Sequence, residues 1–386
     1  MNKKLKIGID ARFAIKNRRG IGNYTLKLIQ NLAEIDKVNQ YILYVDSDDI
    51  EGVLPKQSNF STKKLLISNY LIWEQILLPF VARFDNIEIL HCTGNTAPVF
   101  LSKKIKLIVT IHDVMYLKDY SLLPKSASMY QRIGRIYRKY IVRRVISKTF
   151  RIITDSEFSK IDILHHFPKI APNNILVVYA GMDTRFHIVD KNKELCDKVK
   201  SSFNIKNKYI LALGATDPRK NTEFIIKSYL EIKKDEKIKE SLVVLGIKNW
   251  KKTKLFELIS RHPNIKDVIV VGFVEDDDIV ALYNCAELFV YPSLYEGFGL
   301  PVLEAMACGV PVITSNKSCL PEISGGAAVL VDPTSNEDFK NAIINVVNNK
   351  QMKDDMRIKG LERTKAFSWM KMASRILSIY EIAGKK

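Results

Sequence analysis

Residues 288–315, LFVYPSLYEGFGLPVLEAMACGVPVITS, decide the fold because they contain a complete strand, loop, helix and strand. The segments 288–293 and 310–315 are apolar runs of strand length. Between them, Pro301 suits the first turn of a helix. The loop of such a unit lies at the carboxyl end of its first strand, where open α/β sheets bind ligands. Glu296 and Glu304 flank this position and are therefore candidate binding residues.

Two glutamates eight residues apart also occur on solvated helix faces, so their spacing alone indicates little. A solvated face does not require Gly297, Gly299 and Gly309. The small residues Ala305, Ala307 and Cys308 indicate a helix packed closely against a sheet. With these neighbours, the segment resembles the signature of the retaining GT-B glycosyltransferases of family 4. The elements DARF (10–13), GIGNY (20–24) and PRKN (218–221) most resemble the bacterial mannosyltransferases of that family.

The rest of the chain alternates strand-like and helix-like segments. Strands are predicted at 5–11, 41–45, 64–68, 87–91, 107–112, 151–154 and 174–179, and then at 209–213, 242–245, 268–271, 288–291, 310–314 and 328–331. Helical patterns include 222–233, 277–285 and 336–348. This rhythm predicts an α/β protein with two doubly wound parallel sheets.

The resemblance implies a GT-B fold, with two Rossmann-like domains facing each other across a cleft. We expect an acceptor-side domain at 1–182 and a nucleotide-sugar-binding domain at 183–368. In that family the last helix, here 369–386, often crosses back to the first domain.

The resemblance also assigns site residues. It implies His112, Arg219, Lys220 and Glu296 as catalytic residues, with Glu296 and His112 contacting the donor sugar and Glu304 contacting the ribose. The expected donor-binding residues are Gly20, Gly22, Gly214, Gly297, Phe298, Gly299, Leu300 and Glu304. No cofactor is expected.

The segment 18–25, RRGIGNYT, follows the first predicted strand and is expected to form a loop. Gly20 and Gly22 would let the backbone approach a ligand, and the following helix start would supply N–H donors. A dinucleotide fingerprint would need glycine at Thr25, so that interpretation is weak. A simple turn remains the alternative, whereas the resemblance implies a loop facing the donor phosphate and the acceptor.

The segment 214–221, GATDPRKN, places Arg219 and Lys220 just before a predicted helix starting near Thr222. Cations are unfavourable at a helix N-terminus unless an anion compensates them. This conflict indicates a ligand as highly charged as a diphosphate. A solvated basic turn is the alternative.

His112 and Asp113 end a predicted strand. A lone histidine there is most often a structural residue, but the carboxyl edge of the sheet favours a functional one. Asp113 is expected to orient the loop, and the segments 154–160 and 179–183 weakly resemble family segments that line the cleft.

The formal net charge of +18 is uneven, since residues 1–180 carry 28 Lys+Arg against 15 Asp+Glu. Much of this charge lies in 125–151, which has no acidic residue. At helical periodicity, Ile133, Ile136, Tyr137, Tyr140 and Ile141 share one stripe there. Three hypotheses remain open: a core-packed helix with a solvated basic face, an anionic membrane contact, or nucleic-acid binding, which no accompanying motif supports.

Composition limits the location and the chemistry. The five cysteines are odd in number and lack CxxC spacing, so neither a disulfide framework nor a zinc site is expected. No apolar stretch reaches eighteen residues, and Asp10 and Arg12 interrupt the apolar start of the chain. We expect a cytoplasmic protein, peripheral on the inner face of the plasma membrane. The acidic segments 46–48 and 275–278 are expected to be structural, so metal independence is predicted.

The hypothesis is transfer of a hexosyl unit, mannosyl in the first instance, from a nucleotide diphosphate sugar to a glycan or lipid-linked hydroxyl in surface polysaccharide synthesis, lipopolysaccharide or capsule. GDP-mannose is the first candidate donor and UDP-hexoses follow closely; nucleic acid is not an expected partner. A nucleotide-sugar epimerase, a pyridoxal-phosphate-dependent glycan phosphorylase and a non-catalytic basic binding module are the alternatives.

Overall fold

The structure is a computed structural model that describes residues 4–15, 18, 20–67, 69–118, 129–189, 193–215, 217–272 and 274–385. The chain divides into two compact units. Unit 1 comprises the described residues of Met1–Lys118, Lys125–Gly181 and Ser368–Lys386, and unit 2 those of Met182–Phe367. The predicted start of the basic helix, at 125–128, lies outside the described residues.

Unit 1 is built on a seven-stranded parallel sheet. Its strands are β1 (Lys6–Asp10), β2 (Gln40–Val45), β3 (Phe60–Lys64), β4 (Ile89–Cys92), β5 (Lys106–Thr110), β6 (Arg151–Thr154) and β7 (Ile175–Val177). The order β3-β2-β1-β4-β5-β6-β7 reverses direction between β1 and β4, so the sheet is doubly wound as predicted.

The prediction for β3 was displaced by four residues, because it followed the apolar stretch at 64–68. The observed strand is polar and largely exposed, as an edge strand can be, while Leu66 lies outside it and is 81% exposed.

Helices cover both faces of the sheet in unit 1. They are α1 (Arg12–Ile15), α2 (Gly20–Ile35), α3 (Tyr70–Ile72), α4 (Leu78–Phe84), α5 (Met129–Val145) and α6 (Glu157–His166). A π-helical turn, Trp73–Leu77, joins α3 to α4 without a break. Short 3₁₀ turns lie at Met115–Leu117, Ile146–Lys148 and Pro172–Asn174.

Unit 2 repeats the design with six parallel strands, all close to the predicted positions. They are β8 (Tyr209–Leu213), β9 (Ser241–Leu245), β10 (Val268–Val271), β11 (Leu288–Tyr291), β12 (Val312–Ser315) and β13 (Val329–Val331). The order β10-β9-β8-β11-β12-β13 reverses between β8 and β11. Fully buried strands such as β9 and β11 explain why continuous apolar runs identify this sheet.

The helices of unit 2 are α7 (Lys193–Ser202), α8 (Thr222–Lys234), α9 (Lys254–Ile259), α10 (Asp276–Asn284), α11 (Leu300–Ala307), α12 (Leu320–Ser324), α13 (Asn336–Asn348) and α14 (Lys350–Thr364). Their 3₁₀ turns are Pro218–Lys220, Trp250–Lys252 and Ile265–Asp267. Helix α13 begins at the predicted residue because the Ser335 side chain caps it, accepting from the amide of Asp338 at 3.2 Å.

The last helix, α15 (Trp369–Lys385), belongs to unit 1 and packs along α2. Tyr380 on α15 is buried, and its hydroxyl lies 2.6 Å from Nδ1 of His91 on β4. His91 Nε2 in turn lies 2.8 Å from the Thr110 hydroxyl. Burial, with a smaller contribution from His112, lowers the pKa of His91 to about 3, so the ring is neutral.

The expectation of no disulfide is wrong for one pair of cysteines. Cys196 on α7 is bonded to Cys285 at the end of α10, with their Cα atoms 5.5 Å apart. The 89 residues that separate them leave no local spacing to indicate the pair. Cys92, Cys308 and Cys319 are buried thiols outside this bond.

Within the described residues, no helix has the length and apolar character needed to cross a bilayer.

The contact between α15 and β4 can be tested by Tyr380→Phe. This change removes the hydroxyl that pairs with buried His91, so we expect the free energy of unfolding to fall by about 1–3 kcal/mol. Urea denaturation measures the change. Tyr140→Phe, on a tyrosine that is 53% exposed, is the control and should change stability by less than about 0.5 kcal/mol. Equal effects would show that the His91 contact contributes nothing.

Candidate functional site

The candidate site of unit 2 lies at the reversal point of its sheet. The loop after β8 carries Arg219 and Lys220, and the loop after β11 carries Glu296. Because β8 and β11 are parallel neighbours, with Leu288 beside Ile210, both loops leave the same edge of the sheet. Open α/β sheets bind ligands in the crevice at such a point.

Hydrogen bonds join these two loops directly. The carbonyl of Arg219 accepts from the amide of Leu294 at 2.8 Å and lies 2.9 Å from the Ser293 hydroxyl. Asn221 adopts a left-handed conformation with φ 58°, and its side-chain amide donates to the carbonyls of Pro292 and Pro333. The loops therefore form one connected structure.

Lys220 and Glu296 form an ion pair at the centre of this structure. Lys220 Nζ lies 2.7 Å from Glu296 Oε1, and their side chains are 23% and 11% exposed. The same carboxylate oxygen accepts from the Tyr291 hydroxyl at 2.9 Å and lies 2.5 Å from the Ser293 hydroxyl. Lys220 Nζ also donates to the Tyr291 hydroxyl. Burial, the nearby Glu296 charge and its hydrogen bond raise the pKa of Tyr291 well above the ordinary value.

Arg219 is held by a second carboxylate. Its guanidinium donates to Asp217 Oδ2 at 3.0 and 2.6 Å and to Asp217 Oδ1 at 3.2 Å. It also donates to the carbonyl of Tyr295 at 3.3 Å. Both cations do lie immediately before α8, as predicted. The electrostatic conflict expected in the absence of a ligand is reduced within the protein, because Asp217 pairs with Arg219 and Glu296 pairs with Lys220.

The loop after β11 leads into α11. Its cap, Gly299, has φ 97°, a conformation that favours glycine, and a Cβ there would approach the side chain of Leu320 to 2.8 Å. Leu300 begins the helix, and Glu304 lies in its second turn. Its Oε2 is 3.4 Å from the Tyr283 hydroxyl, a long hydrogen bond. Phe298 is buried against Phe367, with ring centroids 5.7 Å apart.

Gly214 directly follows β8 and packs against Val244 and Ile247, and its amide donates to the carbonyl of Leu245 at 2.7 Å. The loop 214–221 is thereby fixed to the neighbouring strand at its first residue. A groove of about 840 Å³ beside this loop is lined by Asp217, Asn221 and Trp250 among other residues.

In unit 1, the segment predicted as a glycine loop is mostly helix. Helix α2 begins at Gly20, so Gly20 and Gly22 both lie in its first turn. A Cβ on Gly22 would lie 2.6 Å from the carbonyl oxygen of Phe13, whereas one on Gly20 would meet nothing within 4 Å. Gly22 therefore permits close backbone approach, but here to the protein's own chain.

His112 lies in the loop after β5 and is only 9% exposed. Its Nδ1 is 2.5 Å from Asp155 Oδ2, and its Nε2 is 2.9 Å from the carbonyl oxygen of Thr93. The Asp155 carboxylate and the Thr93 carbonyl both accept hydrogen bonds, so this geometry favours the protonated ring, which donates from both nitrogens. Burial lowers the pKa of His112, but Asp155 and the Thr93 carbonyl outweigh burial and raise it above 6.5. Asp113 orients the next turn, accepting from the amide of Met115 at 2.9 Å.

Asp155 lies in the segment 154–160, but no sequence pattern singles it out as the partner of His112. Its second oxygen, Oδ1, is buried and has no hydrogen-bond partner among the described residues. The ring of Tyr24 on α2 packs edge-on against His112, with centroids 4.7 Å apart. His112, Asp155 and Tyr24 therefore form one cluster, and only their proximity in the fold identifies it.

The acidic candidates for a metal site are separate from these clusters. Asp48 pairs with Lys64 at 2.6 Å, and 275–278 forms the first turn of α10. Across the residues that the structure describes, no group of three His, Cys, Asp or Glu side chains could hold a metal ion. Metal independence remains a prediction.

These features define an α/β protein of two doubly wound sheets, with paired cations and carboxylates at the reversal point of the second sheet. The family model "Glycosyltransferase Family 4" matches residues 18–186, and "Glycosyl transferases group 1" matches residues 196–363. Together they span most of the chain. The chain belongs to this family of GT-B glycosyltransferases.

Individual relatives agree with the family. The chain is 26% identical to O-antigen chain mannosyltransferase B of Escherichia coli, over 94% of this chain and 96% of that protein. It is 25% identical to O-antigen chain mannosyltransferase RfbU of Salmonella typhimurium, over 86% and 88%. A glycosyltransferase structure from Rickettsia africae superposes with a TM-score of 0.74 at 16% identity, covering 100% of both chains, and shows the shared fold.

The protonated state of His112 can be tested by its effect on stability. A pKa raised by folding stabilises the folded state below the unfolded value of 6.5, and this contribution is lost as pH rises through the folded value. Asp155→Asn removes the anion, so we expect it to reduce the free energy of unfolding more at about pH 6 than at about pH 9. Urea denaturation at both values measures this. An equal loss at both would contradict a charged His112.

Proposed function

We propose that this glycosyltransferase moves a mannosyl unit from GDP-mannose to a glycan or lipid-linked hydroxyl, with retention at the anomeric carbon. The observation that carries the proposal is the joining of Lys220 and Glu296, with Arg219 beside them, at the sheet reversal of unit 2. The mannosyl specificity is supported by relatives named as O-antigen mannosyltransferases.

In this proposal the two cations bind the diphosphate and stabilise the charge that develops as it leaves. Preorganised charge of this kind is commonly the largest contribution to catalysis. When Lys220 turns toward the diphosphate, Glu296 keeps the hydroxyls of Tyr291 and Ser293 as partners, so its carboxylate remains in place. Glu296 is then positioned to contact the donor sugar.

The remaining donor contacts follow the same assignment. The backbone of 297–300, which includes Gly297, is proposed to hold sugar hydroxyls and phosphate, and Glu304 the ribose hydroxyls. His112 is proposed to contact the donor sugar. Because both of its ring nitrogens already donate to the protein, a sugar hydroxyl could accept from Nε2 only in place of the Thr93 carbonyl. The positive charge of the ring remains available in either case.

The acceptor side is less specified by the site. We propose a growing surface polysaccharide on a lipid carrier, by analogy with the O-antigen relatives. The protein would then act at the inner face of the plasma membrane as a peripheral protein, with unit 1 contacting the anionic surface.

Lys220→Ala and Glu296→Gln test the site. We expect each to lower kcat for mannosyl transfer by about 100-fold or more, because each removes a charge from the reacting centre. Lys227→Ala is the matched control, since this exposed lysine of α8 pairs only with Glu223 among the contacts described for it. Product formation from GDP-mannose measures the rates, and circular dichroism checks folding. Unchanged transfer in both variants would exclude this site assignment.

The donor and the stereochemistry need a separate experiment. Binding to the folded state raises the melting temperature, so GDP-mannose should raise it more than UDP-glucose at equal concentration. The anomeric proton of the product, observed by NMR, should show the α configuration of the donor. A larger rise in melting temperature with UDP-glucose would make UDP-glucose the better donor candidate. A β-configured product would contradict retention.

A further inference from the structure

Unit 1 exposes two stripes of large apolar side chains on neighbouring helices. The residues of each stripe are three or four apart and so share one face of their helix. These side chains are between 42% and 75% exposed. We call them the apolar platform: Ile72, Ile76, Phe80 and Phe84 on the segment from α3 to α4, and Met129, Ile133, Ile136 and Tyr140 on α5. Contiguous exposed patches of this kind mark interaction sites.

Core packing explains only part of the stripe on α5. Of the residues predicted to share it, Ile141 is buried and Tyr137 is half-buried. Ile133, Ile136 and Tyr140 instead face solvent, at 55%, 67% and 53% exposure. The apolar side of this helix therefore extends beyond the contact that the core provides.

A buried polar cluster holds the two helices together beneath the platform. The Tyr137 hydroxyl of α5 donates to Glu74 Oε2 at 2.5 Å and accepts from Gln75 Nε2 at 2.8 Å. Glu74 is fully buried and also pairs with Arg12 at 3.1 Å. The rings of Tyr137 and Tyr70 pack edge-on, 5.5 Å apart. The two stripes are thus fixed to each other.

A groove of about 860 Å³ begins at Phe80 and combines apolar and cationic walls. Lys148 Nζ lies 5.2 Å from the ring centre of Phe100, which is 77% exposed. Lys106 Nζ lies 5.4 Å from the ring centre of Phe150. The residues that define the groove are Phe80, Arg83, Phe100, Lys103, Lys148 and Phe150.

The segments that carry the platform and the groove are rich in cations. The segments 70–84, 98–107 and 129–150 contain eleven Lys and Arg and a single carboxylate, Glu74, which is buried. Nucleic acid would be attracted by the cations but would gain nothing from exposed aliphatic side chains. An anionic bilayer matches both properties, since cations bind its headgroups while aliphatic and aromatic groups enter the acyl boundary.

We propose that the apolar platform and the adjoining groove dock unit 1 on a bilayer containing anionic phospholipids, with the groove holding a phosphate headgroup and the start of its acyl chain. This rests on the membrane contact in the proposed function. It goes further because α3, α4 and the 98–107 segment take part in addition to the basic helix.

The apolar part is tested with vesicles of phosphatidylglycerol and phosphatidylcholine. Phe80→Ser combined with Phe84→Ser should weaken co-sedimentation by about tenfold or more, because two exposed aromatic side chains no longer enter the bilayer. Leu258→Ser with Ile358→Ser is the matched control on unit 2, where the side chains are 65% and 68% exposed. The control should bind as the unchanged protein does.

The charged part is tested in the same assay. Arg83→Glu with Lys103→Glu should lower binding by about tenfold or more, while Lys350→Glu with Lys359→Glu, of equal charge change on α14, should leave binding largely unchanged. Vesicles of phosphatidylcholine alone should bind weakly. Equal binding to both vesicle types, or equal loss in target and control pairs, overturns the proposal. The proposal is also overturned if these variants weaken binding to duplex DNA and leave vesicle binding unchanged.

Insertion has its own readout. A tryptophan introduced by Phe80→Trp should shift its emission to shorter wavelength when anionic vesicles are added, and one introduced by Ile358→Trp should not. The Phe80 and Phe84 variant should keep the melting-temperature rise caused by GDP-mannose, and Lys220→Ala should keep vesicle binding. If GDP-mannose does not raise the melting temperature of the unchanged protein, the proposed donor is rejected. The result on membrane docking then still stands.

Discussion

The ion pair between Lys220 and Glu296 depends on the parallel register of β8 and β11, and the rest of the candidate site depends on that pair. The two residues lie 76 positions apart in the chain but 2.7 Å apart in the fold. The hydroxyls of Tyr291 and Ser293 also contact the carboxylate, so in the proposed complex Glu296 keeps these two partners when Lys220 turns to an anionic ligand. Because Lys220 already has an anionic partner, ligand binding would replace that partner by another and would not leave the lysine without a counter-charge.

The same principle applies in unit 1, where Asp155 lies 2.5 Å from His112 and favours the protonated ring. The two clusters differ in how their cationic side chains are hydrogen-bonded. Both ring nitrogens of His112 lie against protein acceptors, whereas Lys220 divides its donors between a carboxylate and a hydroxyl. We infer that Lys220 gives up its protein partners for a ligand more readily than His112 does. This distinction is a property of hydrogen-bond geometry, which residue types alone do not contain.

The fold was largely predictable because buried parallel strands are continuous apolar runs, and twelve of the thirteen strands fall close to their predicted positions. Strand β3 was displaced because an edge strand can be polar. The glycines at 20 and 22 were assigned to a loop but lie in the first turn of α2, since glycine permits both states. The Cys196–Cys285 bond and the role of Asp155 could not be predicted, because both depend on distances between segments remote in sequence.

The sequence by itself determined the fold class, the family and the positions of the charged loops, because these follow from local periodicity and from a contiguous motif. Only the tertiary structure decided what each charge faces. Arg219 and Lys220 have carboxylate partners rather than an uncompensated helix terminus. The core covers only part of the apolar stripe of α5 and leaves Ile133, Ile136 and Tyr140 exposed. The physical reason is that compensation and burial are set by neighbours across the fold, which helical or strand periodicity does not specify.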